Sequence, residues 1–82
     1  PIRVKSVRAL DVYRLWVRFT NDRVKIFDCK PLLAYPVYAP LEDQALFAQV
    51  YVDYGVVVWL DGEVDIAPER LYEQGCDSTA TA

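Results

Sequence analysis

The sequence contains no histidine, which removes the commonest general acid or base, the serine-based catalytic triad and histidine metal sites. Its three glycines, Gly55, Gly62 and Gly75, are too far apart to form a phosphate-binding loop. No apolar run reaches the roughly 20 residues that a membrane-spanning helix needs. We therefore predict a non-enzymatic protein with no catalytic residue, no metal, no cofactor and no membrane partner.

Cysteine is also scarce, since only Cys29 and Cys76 are present. They lie far apart in the sequence and match no metal-ligand spacing. The chain shows no N-terminal secretion pattern, and a single pair in such a chain favours two free thiols over one disulfide. We therefore expect a cytoplasmic protein.

One group of acids tests the prediction of no metal. Asp61, Glu63 and Asp65 alternate like the start of a calcium loop, but the glycine stands second rather than sixth and the late glutamate is missing. We interpret these acids as a solvated turn, with Asp65 helping to cap a helix that starts near Pro68.

The composition is that of one small globular domain rich in strands. Hydrophobic residues make up 54% and aromatic residues 13%, with many valines. We predict an α+β fold: a small antiparallel sheet from two hairpins plus an N-terminal strand, with a short central helix and a C-terminal helix. Residues 1–75 form the domain, and residues 76–82 form a flexible polar tail.

The first hairpin is predicted from the alternation that ends at Phe19. Asn21 and Asp22 suit a two-residue loop, which places Phe19 opposite Val24. The same register pairs two cations and two aromatic residues on the outward face. Either the rest of the chain folds over this face or a partner covers it, and we predict a partner that binds through Arg14, Trp16, Arg18, Lys25 and Phe27.

The rest of the chain alternates between breakers and apolar runs. Prolines interrupt residues 29–40, and a short helix is predicted over 40–47. Tyr54 and Gly55 are predicted to turn the second hairpin, with Val52 opposite Val57. The last helix is expected over 68–74, with Gly75 as its left-handed cap.

Charge is divided unevenly along the chain. Residues 1–30 carry eight basic and three acidic side chains, whereas residues 31–82 carry one basic and nine acidic ones. The division indicates either an electrostatically steered partner or two oppositely charged parts that attract each other within a monomer or a dimer. We predict a protein partner or a homo-oligomer such as a homodimer.

Two further kinds of ligand follow from the aromatic residues. A small molecule could bind in a cleft lined by Tyr35, Tyr38, Tyr51 and Trp59. Single-stranded nucleic acid could stack on the aromatic and basic outward face of the first hairpin, but the net charge of −3 argues against it.

The order of several short motifs resembles the small bacterial domain-of-unknown-function family 2442. They are Phe19-Thr20-Asn21-Asp22, Lys30-Pro31-Leu32-Leu33, Val52-Asp53-Tyr54-Gly55, Val58-Trp59 and Asp65-Ile66-Ala67-Pro68-Glu69-Arg70-Leu71-Tyr72. Two turns depart from the family pattern. Asn21-Asp22 stands where Asn-Gly is usual, and Leu60-Asp61 stands before Gly62 where a Pro-Asn-like pair is frequent.

The resemblance implies a compact α+β domain with antiparallel strands and no established catalytic residue. Some members carry a following helix-turn-helix, which we do not expect after Gly75. Others are encoded beside another small protein, which implies a toxin–antitoxin-like pair.

Overall fold

Two antiparallel sheets, rather than one, hold the strands of the computed structural model, which describes residues 1–81. The chain runs through β1 (Val4–Leu10), β2 (Arg14–Phe19), β3 (Val24–Asp28), α1 (Gln44–Phe47), β4 (Tyr51–Asp53), β5 (Val56–Trp59), β6 (Val64–Ile66), α2 (Pro68–Gln74) and β7 (Cys76–Asp77). The first sheet has the order β1-β2-β3-β7 and the second β4-β5-β6. A hydrogen bond from the Val4 amide to the Gly55 carbonyl, 2.9 Å long, joins them. The α+β class is confirmed.

The register of the first hairpin differs from the prediction by one residue. Arg18 lies opposite Val24, and Leu15 lies opposite Phe27. The turn is longer than two residues, because the Asp22 amide bonds the Phe19 carbonyl and Asp22 takes a φ of 67°. A shift of one residue moves every side chain of a strand to the other face.

The second hairpin has the predicted register. Val52 lies opposite Val57, and Tyr51 lies opposite Val58. Tyr54 and Gly55 both have positive φ, as a type I′ turn requires. The strand before this turn is shorter than predicted, because β4 begins only at Tyr51.

Residues 29–50 connect the first sheet to the second, and we call them the strap. They consist mainly of short helical turns. Two 3-10 helices span Lys30–Ala34 and Pro36–Glu42, each with a proline near its start. Asp43 caps α1, because its carboxylate accepts hydrogen bonds from the amides of Ala45 (2.9 Å) and Leu46 (3.3 Å). The predicted central helix is therefore split at Asp43.

The end of the chain differs from the prediction at three points. Residues 64–66 form β6, and Ala67 is the N-cap residue that precedes α2, with no side-chain hydrogen bond, so Asp65 is not the cap. Gly75 has an extended conformation, with φ −73° and ψ 155°, instead of a left-handed one. Cys76 and Asp77, which we assigned to the polar tail, form β7.

One core lies between the inner faces of the two sheets, the strap and α2. Its fully buried side chains are Leu15, Val17, Phe19, Cys29, Leu41, Val57, Trp59, Ile66 and Leu71. Among residues 1–81, no helix has the length and apolar character needed to cross a membrane.

Candidate interaction surface

The outward face of the first sheet is the surface on which the predicted partner residues can be judged. Side chains directly opposite each other in an antiparallel sheet point to the same side. Across β1, β2 and β3, one such row joins Arg8, Trp16 and Ile26, and Arg18 lies opposite Val24 in the next row. We call the outward set the Trp16 face: Arg8, Arg14, Trp16, Arg18, Val24 and Ile26.

The predicted partner set is divided between the two faces of this sheet. Arg14, Trp16 and Arg18 share the Trp16 face, but the shifted register turns Lys25 and Phe27 inward. Phe27 belongs to the buried core. The prediction that all five side chains form one surface was therefore wrong.

Lys25 has a structural environment at the rim of the core. Its ammonium lies 4.5 Å from the centre of the Tyr72 ring and 3.4 Å from the Asp77 carboxylate. Its side chain is only 12% exposed. The cation is thus satisfied by a ring and a counter-ion within the chain.

Trp16 lies on the outward face and yet is covered. Only 6% of the residue is exposed, and the Arg18 guanidinium lies 5.6 Å from the centre of the indole ring. The indole N–H donates a 2.8 Å hydrogen bond to the carbonyl of Ala80. A nucleic-acid base could stack on this ring only after the end of the chain moved away.

The cover comes from residues 76–81, which we call the tail segment. Asp77 lies opposite Lys25 in the sheet, and the Ser78 amide continues the pairing with a 3.0 Å bond to the Val24 carbonyl. Beyond this point the tail segment crosses the outward face to reach Trp16. No alternating pattern in this polar stretch signals a strand, so the sequence did not reveal it.

The Asp77 carboxylate binds the tail segment to the first sheet through two ion pairs. Arg23 donates a 3.1 Å hydrogen bond to its carboxylate, and Lys25 lies on the other oxygen. The hydrogen bond from Arg23, followed by the charge of Lys25, lowers the pKa of Asp77 below its ordinary value. Both cations therefore favour the ionised form of this carboxylate.

The uneven charge of the chain is only partly neutralised internally. Arg18 and Lys5 pair with Asp22, and Arg23 and Lys25 pair with Asp77. Among the acids at positions 31–81, Asp77 is the one that lies within ion-pair distance of a cation. The remaining acids and Arg8 of β1 stay available to charges outside the molecule.

The four residues predicted to line a small-molecule cleft do not come together. Trp59 is fully buried and donates a 2.9 Å hydrogen bond to the Phe47 carbonyl. Tyr38 packs against the core and donates its hydroxyl proton to the Asp65 carbonyl. Tyr51 and Tyr35 are exposed. The predicted cleft was therefore wrong as a set.

Tyr35 instead borders a different cavity, which we call the Tyr35 groove. Its volume is about 490 Å³, and its lining includes Arg14, Ile26, Leu32, Tyr35, Arg70 and Cys76. Ile26 and Leu32 supply apolar surface, while the two arginines supply positive charge. The groove thus combines an apolar wall with two cations and one acid, Asp28, a combination that the sequence alone did not bring together.

The acids at positions 61, 63 and 65 and the two cysteines are the remaining residues that the sequence singled out. Within residues 1–81 no three acidic or cysteine side chains gather as a metal-binding group, and Asp61 and Glu63 are exposed. Cys29 and Cys76 are free thiols, one buried and one exposed. Burial, followed by the nearby charge of Asp28, raises the pKa of Cys29 to about 12.

The fold and these surfaces define a small two-sheet α+β domain. The chain belongs to the family described as "Protein of unknown function (DUF2442)", whose model matches residues 4–75. The resemblance noted in the sequence is therefore confirmed. No curated protein and no solved structure matches the chain.

Proposed function

We propose that this chain is a cytoplasmic, non-enzymatic protein-interaction module that uses the Trp16 face as its contact surface. The observation that carries the proposal is the composition of that face: Arg8, Arg14 and Arg18 surround the Trp16 indole, which a partner reaches once the tail segment that covers it is displaced. Tryptophan and arginine are the side chains most often responsible for binding energy at protein interfaces. The surface therefore has the chemistry of a contact site.

The charge distribution supports an acidic partner. Arg8 and Arg14 form no ion pair among residues 1–81, and both are exposed. An acidic surface approaching this face would be attracted over a distance of about 10 Å at ordinary ionic strength. A second copy offers such a surface through Asp61, Glu63 and Asp65, and a small partner protein, as in a toxin–antitoxin-like pair, could offer another.

Light scattering at low and high salt tests self-association. We expect the mass to exceed that of a monomer at low salt and to fall as salt screens the attraction. The double variant Arg8→Gln/Arg14→Gln should reduce the association. The matched control Arg3→Gln/Lys30→Gln removes the same charge elsewhere and should not.

Titration with the product of the neighbouring gene tests a separate partner. Binding that weakens in Arg8→Gln/Arg14→Gln, but not in the control, would support the proposal. A chain that stays monomeric at every salt concentration and does not bind that product would overturn it.

A second candidate function is binding of a small anionic molecule in the Tyr35 groove. The favouring observation is the cavity of about 490 Å³, within the usual size range of ligand pockets, with Arg14 and Arg70 beside an apolar wall. A thermal-shift screen of carboxylated metabolites should find a compound that stabilises the chain and no longer stabilises Arg70→Gln. Failure to find any stabilising compound would count against this function.

A further inference from the structure

We propose that the tail segment is an intramolecular occupant of a peptide-binding edge, and that the partner supplies an extended acidic peptide which pairs with β3 in its place. This inference rests on the proposed function as an interaction module. It names the partner's binding element: an extended strand rather than a helix or a folded surface. Strand addition at a sheet edge is a common mode of peptide recognition.

The edge of β3 has the backbone groups that such a strand needs. β3 has five residues, whereas β7 has only two, Cys76 and Asp77. One further bond, from the Ser78 amide to the Val24 carbonyl, extends the pairing. The tail segment therefore contacts this edge through a short run of backbone bonds, and any extended chain can form the same bonds.

The contacts of the tail segment also define the side chains that a replacing peptide should carry. Asp77 accepts from Arg23 and lies beside Lys25, so an acidic residue is recognised at that position. Three residues later, the Ala80 carbonyl accepts from the Trp16 indole. Ser78, Thr79 and Ala80 are small, which lets this stretch lie flat across the face. The expected peptide has an acidic residue followed by small residues.

The present occupant is held by exchangeable contacts. The Arg23 and Asp77 side chains are more than half exposed, and ion pairs of that kind contribute little to stability. Thr79, Ala80 and Thr81 are exposed as well. Because the tail segment is attached to the domain, it competes at an effective concentration of the order of millimolar. A partner peptide has to overcome that competition.

This competition gives a test in which a variant should gain binding. The probe is a synthetic copy of residues 75–81 with serine in place of Cys76, titrated into the full chain. Binding is followed through the Trp16 indole N–H signal in nuclear magnetic resonance spectra, with the buried Trp59 signal as internal reference. Asp77→Asn weakens the tail segment but leaves Arg23 and Lys25 for the probe. We expect its affinity for the probe to rise by about two- to fivefold, because more chains have an open edge.

Three controls make the result specific. Asp61→Asn removes the same charge from a distant turn and should leave the affinity unchanged. In the Asp77→Asn background, where the tail segment no longer uses the acid contact, Arg23→Gln removes the group that recognises the acid of the probe and should weaken probe binding. A probe with asparagine at the position of Asp77 should bind Asp77→Asn more weakly than the acidic probe does.

The outcomes separate this inference from the function on which it rests. If Asp77→Asn and the wild type bind the probe equally, or neither binds it, while salt-sensitive association persists, then this inference is overturned and the proposed function stands. If association is absent but Asp77→Asn gains probe binding, the peptide edge is supported and the proposed surface contact fails. A wild-type dimer that dissociates when the probe is added would show that a second copy supplies the segment, which overturns the assignment to a separate partner.

Discussion

Trp59 and Phe47 are joined both through a hydrogen bond and through their rings. The Trp59 indole N–H donates to the Phe47 carbonyl at 2.9 Å, and the two rings stack with their centres 5.8 Å apart. Phe47 also meets Tyr13 edge-on, with centres 5.4 Å apart. This pair therefore connects the second sheet to the strap and to the loop that precedes β2.

Replacing Trp59 with phenylalanine should destabilise the domain. The substitution keeps a ring but removes the indole N–H, so the Phe47 carbonyl keeps only its 3.3 Å bond from the Val50 amide, and space is left in the core. The lost hydrogen bond alone should lower the free energy of unfolding by about 0.5–1.5 kcal/mol, measured by urea denaturation. Tyr54→Phe, at a hairpin tip that is 94% exposed, is the control. Equal stability of the two variants would contradict the structural role of Trp59.

Replacing Gly75 with alanine should loosen both α2 and the tail segment. A Cβ atom at this position would lie 2.6 Å from the backbone carbonyl oxygen of Leu71. Since backbone has to move to relieve that contact, we expect a loss of about 1–3 kcal/mol in unfolding free energy. The Trp16 indole should also become more accessible to a fluorescence quencher. Gln74→Ala, at the exposed neighbouring position, should change neither value.

The two cysteines should differ in reactivity in the native protein. Burial raises the pKa of Cys29 from 9.0 to about 12, so its thiolate is scarce at mildly alkaline pH, and solvent does not reach it. Iodoacetamide should therefore modify Cys76 first, and Cys29 only after denaturant is added. Peptide mass mapping measures this order. Rapid modification of Cys29 without denaturant would show that the core opens readily.

Acid should release the tail segment. The Asp77 carboxylate has a pKa below its ordinary value of 3.8 in the folded chain, mainly through the hydrogen bond from Arg23. A group with a lowered folded-state pKa contributes stability above its unfolded pKa and loses it as the pH falls through the folded value. The Trp16 indole signal should therefore be constant from neutral pH down to about 4 and shift below that.

Asp77→Asn isolates this titration from that of the other acids. The variant has no carboxylate at this position, so the acid-dependent shift of the Trp16 signal should be absent or much smaller. The Trp59 signal reports unfolding of the core in both proteins. The same acid transition in variant and wild type would show that another group controls the tail segment.

Local structure was predicted correctly from the sequence where a single residue favours one backbone conformation. Gly55 favours positive φ, which made the two-residue turn and its pairing of Val52 with Val57 predictable. Pro68 likewise marked the start of α2 correctly.

The candidate site was less predictable because its members are brought together by the fold. Arg70, which comes from α2, meets Arg14 of β2 at the Tyr35 groove, and no short motif connects them. The acids 61, 63 and 65 drew attention through their spacing, yet Asp77 is the acid that forms ion pairs across the sheet.

The sequence by itself determined the α+β class, the family, the second hairpin and the start of α2 at Pro68, because these depend on neighbours in the chain. Tertiary structure decided the register of the first hairpin. Asn21 and Asp22 suit either a two-residue or a longer loop, and burial of Phe27 in the core accompanies the longer one. Tertiary structure also decided that the tail segment forms a strand and covers Trp16. A polar strand of two residues has no period to detect, and it forms because β3 has an open edge and Trp16 has an indole N–H and an apolar ring to cover.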